Sequence, residues 1–150
     1  MSASDIVLCN PLRSPIGRFQ GSLSGIRADD LLAHVFKSVI EDSGVNPADF
    51  DEVFAGCANQ AGEDNRNVAR MSSLLAGIPQ HVPAVTVNRL CASGLEAIVQ
   101  AYRSANCNEG RLFLAGGVEN MSRSPYVMPR GPQMPKAGNV TVYDLSLIHI

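Results

Sequence analysis

Apolar residues along this chain follow two alternating rhythms: short unbroken runs, and stretches where they recur every third or fourth position. Ile6-Val7-Leu8-Cys9 is the first run; it stops at Asn10-Pro11, which predicts a buried strand followed by a turn. From Ala28 to Ser43, Leu31, Leu32, Val35, Phe36, Val39 and Ile40 line one face of a helix, with Asp29 and Asp30 in its first turn and Gly44 past its end. A second strand is expected over Glu52–Ala58, entered through Asn46-Pro47. After a polar loop at 59–65, Val68, Met71 and Leu75 predict one face of a second helix that stops at Gly77, with Pro79 beyond. Ala84–Val87 is the third strand, and Leu95, Ile98, Val99 and Tyr102 trace a third helix. Leu112–Ala115 is the fourth strand, ending at Gly116-Gly117.

Strands that are apolar throughout and alternate with helices predict an α/β fold, a mainly parallel (mixed) sheet with helices on both faces. Residues 1–120 read as that domain. Past Asn120, Pro125, Pro129, Pro132 and Pro135, with Met121, Met128 and Met134, predict an extended loop region over 121–150. No repeat recurs at a fixed period. Four strands leave two open edges, so further chain or a partner subunit is expected to cover them.

Charge narrows the partners. Lys and Arg total 12 against 14 Asp and Glu, without long runs of either sign, so a general grip on nucleic acid has no support. No apolar run approaches the ~20 residues that cross a bilayer, and Met1–Asp5 has no leader character, so no membrane partner and a cytoplasmic location are expected. Cys9, Cys57, Cys91 and Cys107 lie far apart, without a paired-cysteine spacing or histidines at zinc-ligand distance. No metal is expected, and all four read as free thiols.

Of the four, Cys91 has the most reactive setting. Asn88-Arg89-Leu90-Cys91-Ala92-Ser93-Gly94 falls where the third strand turns into the third helix, and a helix start favours a thiolate. Small neighbours would admit a substrate to the sulfur. Residue type alone also allows a small buried hydrophobe, the ordinary fate of a free cysteine.

Asn88 to Leu95 resembles the active-site signature of the thiolase family, whose cysteine accepts an acyl group as a thioester. Two further blocks resemble the same family in the same order: Arg13-Ser14-Pro15-Ile16-Gly17, and Gly116-Gly117-Val118-Glu119-Asn120-Met121-Ser122 followed by Pro125. The likeness runs from about Asp5 to Asp144. Within it, Gly56 to Arg70 is similar to the branch that acts on 3-oxoadipyl-CoA in aromatic-compound breakdown.

The resemblance implies the amino-terminal half of a thiolase-like fold, with 121–150 as the start of a loop domain. It implies an acetyl-CoA C-acyltransferase with Cys91 as nucleophile, coenzyme A as co-substrate, no bound cofactor, and a homodimer or tetramer. Base, second acid and oxyanion donors come in the family from a carboxy-terminal half with Gly-His-Pro, Asn-Glu and Cys-x-Gly segments. None of these occurs here, and His34, His81 and His149 lie in other contexts. The chain diverges from the pattern after Tyr143-Asp144, and we expect a truncated sequence that is inactive alone. The alternatives are an acetyl-CoA acetyltransferase of different acyl preference, a ketosynthase-like condensing enzyme, or a non-catalytic acyl-CoA- or lipid-binding protein.

The remaining polar and small residues read as structure. Gly116-Gly117 is expected to allow close packing rather than to cradle phosphate. Glu119 has no evident partner and reads as orienting structure. Arg66 and Arg70 read as surface charges, His34 as a partly buried helix residue, and Cys9, Cys57 and Cys107 as structural thiols.

Overall fold

A computed structural model describes residues 5–60, 66–128, 130 and 138–146. The elements run α1 (Ala28–Ser43), β1 (Glu52–Gly56), α2 (Val68–Leu75), β2 (Ala84–Val87), α3 (Ser93–Asn106) and β3 (Phe113–Gly117), then short strands β4 (Tyr126–Val127) and β5 (Tyr143–Asp144). The first helix has the predicted bounds. Gly44 closes it in the left-handed region, φ 66°, with its N–H donating to the Ile40 carbonyl. Asp29 is fully buried at its start, held by Arg27 at 2.9 and 2.6 Å. That hydrogen-bonded guanidinium keeps the Asp29 carboxyl below the usual range despite its burial.

The main sheet has the order β2-β1-β3 and is parallel, with Val53 opposite both Ala84 and Leu114, and Gly56 opposite both Val87 and Gly117. Alternation sorts the side chains onto two faces. Val53, Ala55 and Leu114 pack with Leu32 and Phe36 of α1 and Ala69 of α2 in the core. Phe54 points the other way and meets Phe113, ring centroids 6.0 Å apart, on the face that carries α3. Helices therefore cover both faces, as predicted. A separate two-stranded antiparallel ladder joins β4 to β5.

Five expectations need correction. Ile6–Cys9 forms no strand: Val7 is 71% and Leu8 79% exposed, and among the described residues no other strand pairs with this run. On α2 the buried face is Val68, Ala69, Ser72 and Ser73, while Leu75 is exposed, because the helix lies against α1 and β2 where small residues permit close approach. On α3 the buried face is Ser93, Glu96 and Ala97, and Leu95 and Tyr102 are 65% and 55% exposed. The last main strand starts at Phe113, one residue later than expected, and ends in its glycines at Gly117 as expected. Beyond Asn120 the chain is not all loop, since a 3₁₀ turn at Met121–Arg123 precedes the β4–β5 ladder. Most of the predicted 59–65 loop, Pro129, Pro132, Pro135, Met134 and His149 lie outside the described residues.

Candidate active site

All three main strands run the same way, so their carboxyl ends meet at one rim of the sheet, the usual place for a ligand site in an open α/β fold. Gly56 ends β1, Val87 ends β2 and Gly117 ends β3. The β2–α3 turn, 88–92, presents Cys91 there as an exposed free thiol, one residue before the Ala92 cap of α3. The alternative of a small buried hydrophobe is thereby removed for this residue. Among the described residues its thiol makes no hydrogen bond, so nothing in this arrangement blocks approach to it.

The turn is tight and strained. Leu90 has φ 52°, a left-handed conformation that a non-glycine residue keeps only when its surroundings over-determine it. Asn88 Oδ1 accepts from the Leu90 N–H at 2.8 Å, and the Ser93 hydroxyl donates to the Leu90 carbonyl at 2.6 Å while accepting from the Arg89 N–H at 2.9 Å. The Ser93 and Ala92 N–H groups close back on the Leu90 and Arg89 carbonyls at 3.0 and 3.1 Å. Arg89 Nε pairs with Glu96 one turn along α3 at 2.7 Å, and Glu96, almost buried, also accepts from Gln100 at 2.6 Å and meets Arg103 at 3.4 Å. Both sides of Cys91 are therefore tethered to the first turn of the helix that follows.

Close packing brings that helix start onto the sheet. A Cβ at Gly56 would lie 2.2 Å from the Ser93 carbonyl carbon and 2.4 Å from the Gly94 nitrogen. At Gly117 it would lie 2.8 Å from the Gly56 oxygen and 3.3 Å from the Gly94 Cα. Gly117 thus serves contact between backbones, in keeping with the packing role expected of the paired glycines.

Glu119, which has no partner legible in the sequence, is hydrogen-bonded here. Its carboxylate accepts from the Ala58 N–H at 2.8 Å and the Asn59 N–H at 3.1 Å, just past the end of β1. Asn88 Nδ2 donates to the Ala58 carbonyl at 3.1 Å, which joins this clamp to the Cys91 turn. Arg70 is likewise no free surface charge: its guanidinium donates to the Val82 and Gln80 carbonyls, both at 2.8 Å. No pattern in the sequence marks either role, because the partners are main-chain groups.

The other thiols separate. Cys57 is buried beside Glu119, whereas Cys9 and Cys107 are exposed, so a position inside a strand is wrong for Cys9. A cavity of about 550 Å³ lies between α1 and the 12–15 segment, lined by Arg13, Pro15, Leu31 and His34 among others. None of residues 88–94 lines it. Among the described residues no cluster of His, Cys, Asp and Glu could hold a metal, and no helix is long and apolar enough to cross a membrane.

Comparison with known proteins bears on this arrangement. Residues 6–149 match the family described as thiolase, N-terminal domain, a span that continues past Asp144. The chain is 61% identical over 125 residues to the beta-ketoadipyl-CoA thiolase of Pseudomonas aeruginosa, covering 83% of this chain and 31% of that protein. It is 52% identical over 122 residues to the 3-oxoadipyl-CoA/3-oxo-5,6-dehydrosuberyl-CoA thiolase of Escherichia coli, covering 81% of this chain and 30% of the relative. Among solved structures, the acetyl-CoA acetyltransferase of Bacillus anthracis superposes with a TM-score of 0.82 at 34% identity, over 89% of this chain and 34% of that one. The chain thus spans about a third of the length of the relatives it matches.

Proposed function

Because the chain belongs to the thiolase family, we propose that it supplies the acyl-accepting thiol, Cys91, of an acetyl-CoA C-acyltransferase that cleaves 3-oxoadipyl-CoA. The observation that carries this reading is the exposed Cys91 at the strained turn between β2 and the start of α3. The substrate rests on the printed names of the relatives at 61% and 52% identity. The acetyltransferase alternative draws on a relative that is 34% identical.

The proposed chemistry has two steps. The Cys91 thiolate adds to the 3-oxo carbonyl. The bond between C2 and C3 then breaks, the electron pair stays on C2, and a proton delivered there releases acetyl-CoA. The four-carbon acyl group remains on Cys91 as a thioester. The thiolate of free CoA attacks that carbonyl, the Cys91 sulfur leaves, and succinyl-CoA departs. Both steps need a general acid–base and donors for the oxyanions. Cys91 has no such partner among the described residues, so we assign those groups to parts of the enzyme beyond them, and 121–150 to the beginning of a loop domain. On the same reading the isolated chain has no turnover, and a homo-oligomer is the expected state of the whole enzyme.

The test is a hybrid in which residues 6–144 replace the matching segment of the Pseudomonas aeruginosa relative. It should convert 3-oxoadipyl-CoA and CoA to acetyl-CoA and succinyl-CoA, and mass spectrometry of the quenched enzyme should find the acyl group on Cys91. Cys91→Ala should lower kcat by about 10³-fold or more, the scale of removing a covalent nucleophile. An acyl group on another thiol, or turnover preserved in Cys91→Ala, defeats the assignment. Faster cleavage of acetoacetyl-CoA than of 3-oxoadipyl-CoA would favour the acetyltransferase instead.

A further inference from the structure

We infer that Glu119 is a positioning residue for Cys91, acting through the Ala58 peptide and Asn88 to hold the turn that presents the thiol; this rests on the reading of Cys91 as the acyl-accepting group. The relay consists of four contacts. Glu119 fixes the Ala58 and Asn59 N–H groups at 2.8 and 3.1 Å. The Ala58 carbonyl receives Asn88 Nδ2 at 3.1 Å, and Asn88 Oδ1 receives the Leu90 N–H at 2.8 Å. Leu90 is the strained residue, φ 52°, immediately before Cys91.

A carboxylate that accepts from two successive main-chain N–H groups makes charge-assisted bonds and fixes the peptide plane between them. The Ala58 carbonyl belongs to that plane, so its direction follows from the clamp. Asn88 needs that carbonyl to hold its own amide in register, and a left-handed leucine reverts to an ordinary conformation once the groups that impose it are lost. Removing Glu119 therefore frees the Ala58 peptide, then Asn88, then the backbone that aims Cys91 at the start of α3. Among the described residues, two further groups stand at the ends of the relay. Cys57 Sγ lies 4.0 Å from Glu119 Oε2, and Arg89, next to Leu90, is paired with Glu96.

The fold supplies its own control. Asp51 accepts from the Arg111 and Leu112 N–H groups at 2.6 and 2.9 Å, the same kind of clamp joining β1 and β3 at the opposite end of the sheet. The experiment measures iodoacetamide alkylation of each cysteine of the 150-residue chain against pH, by peptide mass spectrometry, in the unaltered chain, Glu119→Gln, Asn88→Ala and Asp51→Asn. Protection of the buried Cys57 reports folding in the same samples. In Glu119→Gln the alkylation of Cys91 at pH 7 should slow by about threefold relative to Cys9 and Cys107 in the same sample, as the turn ceases to hold the thiol at the start of α3. Asn88→Ala, which cuts the relay one step on and leaves the clamp intact, should do the same. Asp51→Asn should leave Cys91 unchanged, and Cys9 and Cys107 should keep their profiles throughout.

A Cys91 profile unmoved in Asn88→Ala, or moved as far in Asp51→Asn as in Glu119→Gln, overturns the inference. A Cys91 rate unmoved in folded Glu119→Gln overturns it as well; should that variant expose Cys57 by unfolding, the shorter carboxylate of Glu119→Asp decides, a slowed Cys91 with Cys57 still protected supporting the inference and an unchanged Cys91 overturning it. The nucleophile reading is decided separately by the hybrid enzyme: if Cys91 carries no acyl group there, that reading falls, and the positioning role with it.

Discussion

The two ends of the main sheet use one device for different purposes. At the end where β1 begins, Asp51 reaches across to the N–H groups of Arg111 and Leu112 ahead of β3; at the end where β3 finishes, Glu119 reaches back to those of Ala58 and Asn59. At the Asp51 end the nearby glycine, Gly110, faces side chains, those of Asp51 and Phe113. Around Glu119 the main chain is packed on main chain, through Gly56, Gly94 and Gly117, and a leucine is held left-handed. A carboxylate clamp alone thus registers two strands. Combined with glycine-lined close approach, it also fixes a turn that displays a thiol.

The sharpest way to break this contrast is to add a methyl group at each end. Gly56→Ala should be the more severe, because its Cβ would meet the Ser93 and Gly94 backbone at 2.2 to 2.4 Å, and a helix start cannot yield without leaving the sheet. We expect a loss of about 3 kcal/mol or more in urea unfolding, at the upper end for overpacking. Gly110→Ala brings its Cβ to 2.6 Å from the Asp51 Cβ and 2.7 Å from the Phe113 ring; the ring can turn aside, and Asp51, exposed ahead of β1, can shift with its backbone. A loss of about 1 kcal/mol is expected there. Equal losses would show that the two ends are packed alike.

This contrast also explains what could be read in advance. The bounds of α1 and β2 follow from periodicity, end signals and apolar runs, and they stand as predicted. The setting of Cys91 between a strand and a helix is legible, whereas its reading as a nucleophile comes from the resemblance of Asn88 to Leu95 to the thiolase signature. What misleads is the assumption that the apolar face is the buried one. On α3, Ser93, Glu96 and Ala97 face the sheet, where Gly56 and Gly117 let the helix start approach closely, while Leu95 and Tyr102 look outward. Ile6–Cys9 has the composition of a strand, but composition supplies no partner. The roles of Glu119 and Arg70 depend on main-chain atoms brought close by the fold, and a list of residue types does not contain them.

A smaller effect is expected from Asp51→Asn. Hydrogen bonds from Leu112 and then Arg111 hold the Asp51 carboxyl below its usual range. The sign follows from linkage: the clamp stabilises the fold fully above the ordinary carboxylate range, and loses its effect as pH falls through the lowered value. Because Asp51 is exposed and water screens it, the substitution should cost no more than about 1 kcal/mol at pH 7. Denaturant midpoints of the two proteins should converge in strong acid. A gap that persists there would mean that the asparagine distorts β1 rather than merely lacking the charge.

The next residue along provides the finest test, since Glu52 shifts in the opposite direction. Partial burial and, after it, the nearby Glu109 charge raise its carboxyl above the usual range. A raised acid stabilises the fold only when protonated, so this group helps below the ordinary carboxylate range of about 4 and becomes a cost as pH rises through its folded value. Glu52→Gln should therefore stabilise the chain at pH 7 by about 0.5 kcal/mol, the scale of a half-exposed site, and the gain should vanish by about pH 3.5. Urea unfolding at those two pH values checks it. If the gain is the same at both, the glutamine improves packing and the charge carries no cost. Because Glu52 stands at the amino end of β1, away from the Cys91 turn, the alkylation profile of that thiol should stay where it was, whichever of these holds.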